Sequence, residues 1–229
     1  MSPDQKPFAD RREAGRVLAD RLSDYAHHDV VVLGLPRGGV PVAAEVAAAT
    51  GGALDVLIVR KLGLPGQPEL AMGAIAAVGD AVETVRNQSV IEAGGVDESA
   101  FEAVRQRESD ELRRRTEAYR GGRAATPVHG RAVIVVDDGL ATGSTMRAAL
   151  AAVRKQQPRR LTVAVPVASG AVCDRLAAEV DEVVCVWTPE FFSAVGQGYT
   201  DFSPTQDDEV RAALAAAAGS TGEEGRADV

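Results

Sequence analysis

The run Val133-Ile134-Val135-Val136-Asp137-Asp138-Gly139-Leu140-Ala141-Thr142-Gly143-Ser144-Thr145 decides the fold. Its first four residues are all β-branched, which reads as a strand buried on both faces, and such strands belong to parallel sheets covered by helices. Two adjacent acids end the strand, and a turn of small residues opens into a helix expected over Thr145–Gln157. Carboxylates at the end of a buried strand have no packing rationale, because burying a charge is costly unless it is paired. At the carboxyl edge of an α/β sheet they stand where such folds bind ligands. The first N–H groups of a helix lack intrahelical partners. Together with the hydroxyls of Thr142, Ser144 and Thr145 they can hold a phosphate dianion. Asp137 and Asp138 can accept hydrogen bonds from the vicinal hydroxyls of a sugar. The ligand this asks for carries a phosphate at one end and a diol near it, as a ribose 5-phosphate group does.

Working outward, the same alternation of strand and helix continues on both sides. Val30–Leu33 is a β-branched run ending in Gly34-Leu35-Pro36-Arg37-Gly38-Gly39, a glycine turn that leads into a helix over Val40–Ala49. Leu54–Val59 reads as a second buried strand. Residues 60–70 are rich in Gly and Pro without periodicity and read as a loop, longer than most connections, which points to a functional role. Runs at 73–78 and 81–85 flank Gly79-Asp80, a hairpin turn. Downstream, strands are expected at 161–167 and 182–186 and a helix at 171–180. Residues 97–123 form a long, mostly solvated helix whose apolar stripe is Phe101, Val104, Leu112 and Tyr119. An N-terminal helix begins at a capping box of Asp10 and Glu13 and presents Ala14, Val17, Leu18, Leu22 and Tyr25 on one face. The expected organisation is therefore an N-terminal helix (1–28), an α/β core (29–186), a C-terminal hood and helix (187–217) and a disordered polar tail (218–229).

Composition narrows the class. The 229 residues are 45% apolar and 25% charged, an ordinary globular balance, with aromatics at only 4%. The core must then be built from Val, Leu, Ile and Ala. The net charge of −8 disfavours a nucleic-acid partner, yet a few local cations and amides can still hold a phosphorylated ligand. Cys173 and Cys185 have no CxxC spacing and lie in apolar runs, so they read as small buried residues rather than as a disulfide or zinc frame. The histidines lack metal-type spacing. No apolar stretch approaches the length of a membrane span, and the N-terminus lacks a signal-type apolar segment. A soluble, cytoplasmic protein with no membrane partner is expected.

The strand, acid pair and Thr142-Gly143-Ser144-Thr145 resemble the 5-phosphoribosyl 1-diphosphate (PRPP) signature of the type I phosphoribosyltransferase family. Gly139 departs from the commonest pattern, which has an aliphatic residue or Ser there, and is expected to loosen the turn without removing a ligand group. Gly34–Gly39 is similar to the family's diphosphate loop, and Arg60-Lys61 to the basic pair that begins its flexible catalytic loop. The resemblance covers roughly residues 28–190. It implies a parallel sheet of about five strands with helices on both faces, a small hood and a flexible β-hairpin loop. It also implies Mg²⁺-dependent transfer of 5-phosphoribosyl from PRPP to a nitrogenous acceptor, with release of diphosphate. On that reading Ala141, Thr142, Gly143, Ser144 and Thr145 bind the 5-phosphate, and Arg37, Gly38 and Gly39 bind the diphosphate. Asp137 and Asp138 bind the ribose hydroxyls and the metal (directly or through water), and Arg60 and Lys61 act in the closing loop. Trp187, Phe191 and Phe192, in the aromatic-rich stretch after the last strand, are candidates for stacking the acceptor, whose identity stays open. A homo-oligomer is implied by the family alone. Two alternatives share the cradle: a PRPP-sensing module without turnover, and hydrolysis or phosphorolysis of a ribosyl phosphate.

Overall fold

The computed structural model describes residues 7–26 and 28–223. The chain runs α1 (Arg11–Asp20), β1 (Val30–Gly34), α2 (Gly39–Thr50), β2 (Ala53–Val56), β3 (Ile58–Leu64), β4 (Gln67–Val78), β5 (Ala81–Arg86) and α3 (Gln88–Ala93). It continues through α4 (Glu98–Arg120), β6 (Ala132–Val136), α5 (Ser144–Lys155), β7 (Arg160–Val167), α6 (Gly170–Ala177), β8 (Glu182–Trp187) and α7 (Asp207–Glu223). Five strands pair in parallel in the order β2-β1-β6-β7-β8, as the β-branched runs predict.

The two-residue period of a strand divides the main sheet between two cores. Val31, Leu33, Val133, Val135, Leu161 and Val163 pack with Met146 and Leu150 of α5 and Val172 and Leu176 of α6. Their neighbours Val30, Val32, Ala132, Ile134, Val136 and Ala164 pack on the opposite face with Leu18 of α1 and Val42 and Val46 of α2. Covered on both sides, the sheet offers a ligand only its ends.

The segment after the second strand departs from expectation. Leu54–Val59 is not one strand: β2 ends at Val56, and β3 starts at Ile58 in a separate antiparallel sheet of order β3-β4-β5. Residues 60–70 are likewise not a loop, because β3 pairs with β4 through Gly63↔Ala71 and Leu64↔Gln67, with register shifts near the tip. Leu62 and Leu64 face a third core with Met72, Ile75, Phe101 and Leu112. The charged Arg60-Lys61 pair and the glycine and proline at the tip hide that alternation from a sequence reading. The outer part of β4, Gln67–Ala71, is exposed, so the β3–β4 hairpin projects as an arm. The turn at Gly79-Asp80 joins β4 and β5 as expected.

The apolar stripe of α4 (Phe101, Val104, Leu112 and Tyr119) is buried. A buried ion pair ties the end of this helix to β2: Arg120 donates from Nε to Asp55 Oδ1 at 3.0 Å and from Nη2 to Oδ2 at 2.9 Å. The Thr126 amide donates to the same carboxylate at 3.0 Å. At the C-terminus α7 continues past Ala217 to Glu223, so the first part of the expected disordered tail is helical. The rest of the expected tail, 224–229, and the start of the N-terminal segment, 1–6, lie outside the described residues.

Candidate active site

The carboxyl ends of β1 and β6 lie side by side, since Gly34 pairs with Val136. Each strand runs into a turn and a helix that starts at a glycine. The helices α1, α4 and α6 begin with Asp10, Asp97 and Ser169, whose side chains accept first-turn amides. By contrast α2 and α5 begin at Gly38 and Gly143 with no side-chain cap and no acid in the first turn. Uncapped N–H groups and an uncompensated positive helix end favour an anion. The start of α5 is such an anion-binding end at this sheet edge, beside the acid pair. In α2 the Gly39 and Val40 amides donate to the Leu35 and Arg37 carbonyls and Pro41 has no N–H, so that turn offers an anion the Arg37 side chain and the glycine-lined space beside the acids.

After β6, Ala141, Thr142, Ser144 and Thr145 are exposed and Gly143 is buried, with φ +73°. The corner is open, not plugged by packed side chains. Gly38 and Gly39 press against the acids: a Cβ on Gly38 would fall 2.0 Å from Asp138 Oδ2, and one on Gly39 would fall 2.8 Å from Asp137 Cα. Any side chain at either position would fill the space beside the carboxylates. The Pro36–Arg37 peptide in this turn is cis. Arg37 itself is exposed and reaches Asp207 at 3.9 Å across the turn, while Tyr119 Oη donates to the same carboxylate at 2.8 Å.

Gly139 has a different role from the one expected. It is buried, and a Cβ there would lie 2.5 Å from Val195 and 2.8 Å from Val167. The missing side chain lets the segment after β8 close over the turn instead of loosening it.

The acids themselves are strained electrostatically. Burial, and then the charge of Asp138, push the Asp137 carboxyl well above the ordinary carboxylate range. Asp137 Oδ1 accepts the Asp138 amide at 2.8 Å. Burial also raises Asp138, opposed by Arg11, whose Nε donates to Oδ2 at 2.8 Å. Arg11 is a residue of this corner that a reading of the sequence does not find. It also donates to the Ser203 carbonyl at 2.7 Å and lies 4.0 Å above the Phe202 ring. Nothing local in the sequence links Arg11 to an acid 127 residues away.

A family model described as the phosphoribosyl transferase domain matches residues 9–197. Curated proteins from two strains of Mycobacterium tuberculosis, each named "Putative phosphoribosyl transferase", are 49% identical over 209 residues. That match takes in 91% of this chain and 46% of each relative, so the chain spans about half the length of the curated proteins it matches. The crystal structure of TT1426 from Thermus thermophilus is 48% identical with TM-score 0.79, covering 90% of this chain and 97% of that one. The chain belongs to the phosphoribosyl transferase family.

For a phosphoribosyl transferase domain, the remaining expected residues divide unevenly. A cavity of about 360 Å³ brings Lys61, on the arm, together with Ser144 and Thr145 at the start of α5. Lys61 is half-exposed, with Glu69 on the paired strand 3.4 Å away. Arg60 does not join it: its guanidinium is bound to Glu108 on α4 at 2.5–2.7 Å, with Glu111 at 4.0 Å. A larger cavity of about 620 Å³, between the arm and α4, contains no residue of the turn after β6.

The aromatic candidates also separate. Trp187 and Phe192 pack on a satellite core with Phe8 and Tyr199, whereas Phe191 is 84% exposed. The aromatics nearest the acids are others: Tyr199 donates its hydroxyl to the Asp138 carbonyl and stacks on Phe202 at 5.1 Å. Among the described residues, no group of three or more His, Cys, Asp or Glu side chains could hold a metal, and no helix is long and apolar enough to cross a membrane.

Proposed function

We propose that this domain binds PRPP and transfers its 5-phosphoribosyl group to a nitrogenous acceptor, releasing diphosphate. The observation that carries the reading is the uncapped start of α5 at Gly143 beside Asp137 and Asp138, with the turn of Arg37, Gly38 and Gly39 pressed against the same acids. An anion-binding helix start, a diol-binding acid pair and a turn carrying Arg37 match a ligand with a phosphate, a ribose and a diphosphate in that order. The amides at the start of α5 and the Thr142, Ser144 and Thr145 hydroxyls would grip the 5-phosphate. Remote binding energy of this kind aligns the reacting carbon. Asp137 and Asp138 would accept the ribose hydroxyls, and the loop of Arg37, Gly38 and Gly39 would receive the diphosphate as its charge grows.

The donor set suits Mg²⁺, which keeps several waters, is usually bound by one or two carboxylates together with substrate phosphates, and needs no all-protein cage. Asp137 and Asp138 are the residues that would hold it, and bound there it would neutralise charge developing on the diphosphate. As the C1–diphosphate bond lengthens, positive charge spreads over the ribose, and both carboxylates face that charge. Lys61, on the arm, lines a cavity with Ser144 and Thr145 and would help to exclude water, which would otherwise capture C1.

The test is diphosphate release from PRPP and Mg²⁺ with a panel of purine, pyrimidine, pyridine and amine acceptors, alongside a thermal shift with PRPP. Release with at least one acceptor, abolished in Asp137→Asn/Asp138→Asn, is expected. No thermal shift at millimolar PRPP would overturn the reading. A shift without release on any acceptor would turn it to the ligand-sensing alternative.

A further inference from the structure

Arg11 opens α1, where the helix dipole favours acids over cations, and its side chain leaves the helix for the acid pair. Nε donates to Asp138 Oδ2 at 2.8 Å and Nη1 to the Ser203 carbonyl at 2.7 Å, while Cζ lies 4.0 Å from the centre of the Phe202 ring. The Arg11 and Asp138 side chains are only 12% and 14% exposed. The backbone that leads into Arg11 is itself held. Phe8 and Tyr199 form a parallel bridge, the Thr200 amide donates to the Phe8 carbonyl at 2.9 Å, and the Asp201 amide donates to the Ala9 carbonyl at 2.8 Å. Tyr199, fully buried, donates its hydroxyl to the Asp138 carbonyl. Segments 8–11 and 199–203, clasped together, thus fix both the backbone and the side chain of Asp138.

The contact also decides which carboxylate oxygens stay free. Asp138 Oδ2 is taken by Arg11, and Asp137 Oδ1 by the Asp138 amide. Among the described residues no donor reaches Asp138 Oδ1 or Asp137 Oδ2, and the one buried side-chain polar atom without a partner is Ser109 Oγ, so these two oxygens keep contact with solvent. A Cβ on Gly38 would fall 3.1 Å from Arg11 Nε as well as 2.0 Å from Asp138 Oδ2, which sets the ion pair directly against the Arg37 turn. We propose that Arg11 is a positioning residue for the ribose: its planar guanidinium, anchored on Ser203, holds one oxygen of Asp138 and leaves the other presented to the sugar hydroxyls, an assignment that rests on the PRPP reading of the site. Arg11 acts through Asp138, because two of its donors and one face are already committed to the protein. A rigid guanidinium fixes the direction of its partner as well as balancing its charge, which a flexible ammonium does not. Without Arg11, repulsion from Asp137 drives Asp138 towards solvent, and a misplacement of about 1 Å can cost roughly a hundred-fold at a reacting site.

The test titrates ribose 5-phosphate and its 2-deoxy and 3-deoxy analogues calorimetrically into the full chain, without added metal, so it needs no turnover. The three ligands share the phosphate, and each analogue lacks one hydroxyl. The wild type is expected to bind ribose 5-phosphate roughly ten-fold more tightly than at least one analogue, as one hydrogen bond to a charged group allows. In Arg11→Met and in Arg11→Lys that preference should be lost, while affinity for the same analogue is unchanged. Arg11→Lys keeps the charge beside Asp138, so it should be the more stable variant, and it carries the test if Arg11→Met does not fold. Circular dichroism checks both. Equal weakening of all three ligands, the mark of a merely structural role, would overturn the assignment and leave the PRPP reading standing. So would a wild-type preference kept intact in Arg11→Lys. A wild type that does not distinguish the three ligands would overturn the ribose-binding role of the acid pair itself, and the assignment with it.

Discussion

At the end of β6 the Asp137 carboxyl sits well above the ordinary range because it is buried and then because Asp138 repels its charge. An unfolded aspartate titrates near 3.9. Between that value and its raised folded value, the folded state holds a proton that the unfolded chain has released. Stability therefore falls as pH rises through that window, and above it the ionised pair is a standing cost. Asp137→Asn keeps an oxygen for the Asp138 amide and removes the charge. It should raise the melting temperature without ligand at pH 7.5 by roughly 2–4 °C, about 1 kcal/mol in a domain of this size. Differential scanning fluorimetry across pH checks this, and the gain should shrink towards pH 4. A lower melting temperature at pH 7.5 would mean that the carboxylate is a structural group. Arg11 is the opposite case, because it relieves Asp138. Arg11→Met strands a part-buried carboxylate and should cost about 2–3 kcal/mol, below the 3–5 typical of a fully buried broken pair. Adding Asp138→Asn should recover most of that loss. Urea melts of the two single variants and the double variant measure the coupling, and additive losses would show that the 2.8 Å contact carries no energy.

At the scale of elements, the Asp55–Arg120 pair does for α4 what apolar packing does elsewhere. Both side chains are nearly buried, and the carboxylate has four donors, the Val56 amide among them, so neither charge is left unpaired. Removing one partner leaves the other charge buried without compensation. Asp55→Ala should destabilise by about 3–5 kcal/mol, whereas Asp55→Leu/Arg120→Met should cost much less. Chemical denaturation decides, and equal losses in the two would mean that burial of the ion pair is not the source of the effect. Elements of this chain were legible where a period was expressed in side chains. The β-branched runs of β1, β6 and β7 and the stripe of α4 are such cases. The arm was not legible. Its strands are defined by a hydrogen-bond ladder while Arg60, Lys61 and the exposed residues 67–71 carry no alternation. The short α3 was missed for a related reason, having one buried residue and no side-chain cap. At the site, the turn after β6 was readable because strand, acids and helix start are contiguous. Arg11, Tyr199 and Phe202 were not, because only the closed fold brings them to Asp138.

In the whole molecule, the proposed ligand would span two bodies that share few covalent links. The main sheet supplies the acids, the start of α5 and the Arg37 turn, and the antiparallel sheet supplies the arm with Lys61. A ligand bound only by the folded state stabilises by mass action, about 2.7 kcal/mol at a hundred times its dissociation constant. For a domain of this size that is a rise in melting temperature of roughly 5–10 °C. If PRPP with Mg²⁺ bridges the two bodies, the arm should gain protection along with the whole. The tip is the most open part of the arm, with Leu70 half-exposed, so limited proteolysis at residues 64–71 reports on it directly. Saturating PRPP with Mg²⁺ should slow cleavage there several-fold. Ribose 5-phosphate, which fills the α5 end and lacks the diphosphate, should raise the melting temperature less and leave the tip open. Equal protection by both ligands would mean that the arm responds to the turn after β6 alone, and that the diphosphate has no part in holding the arm.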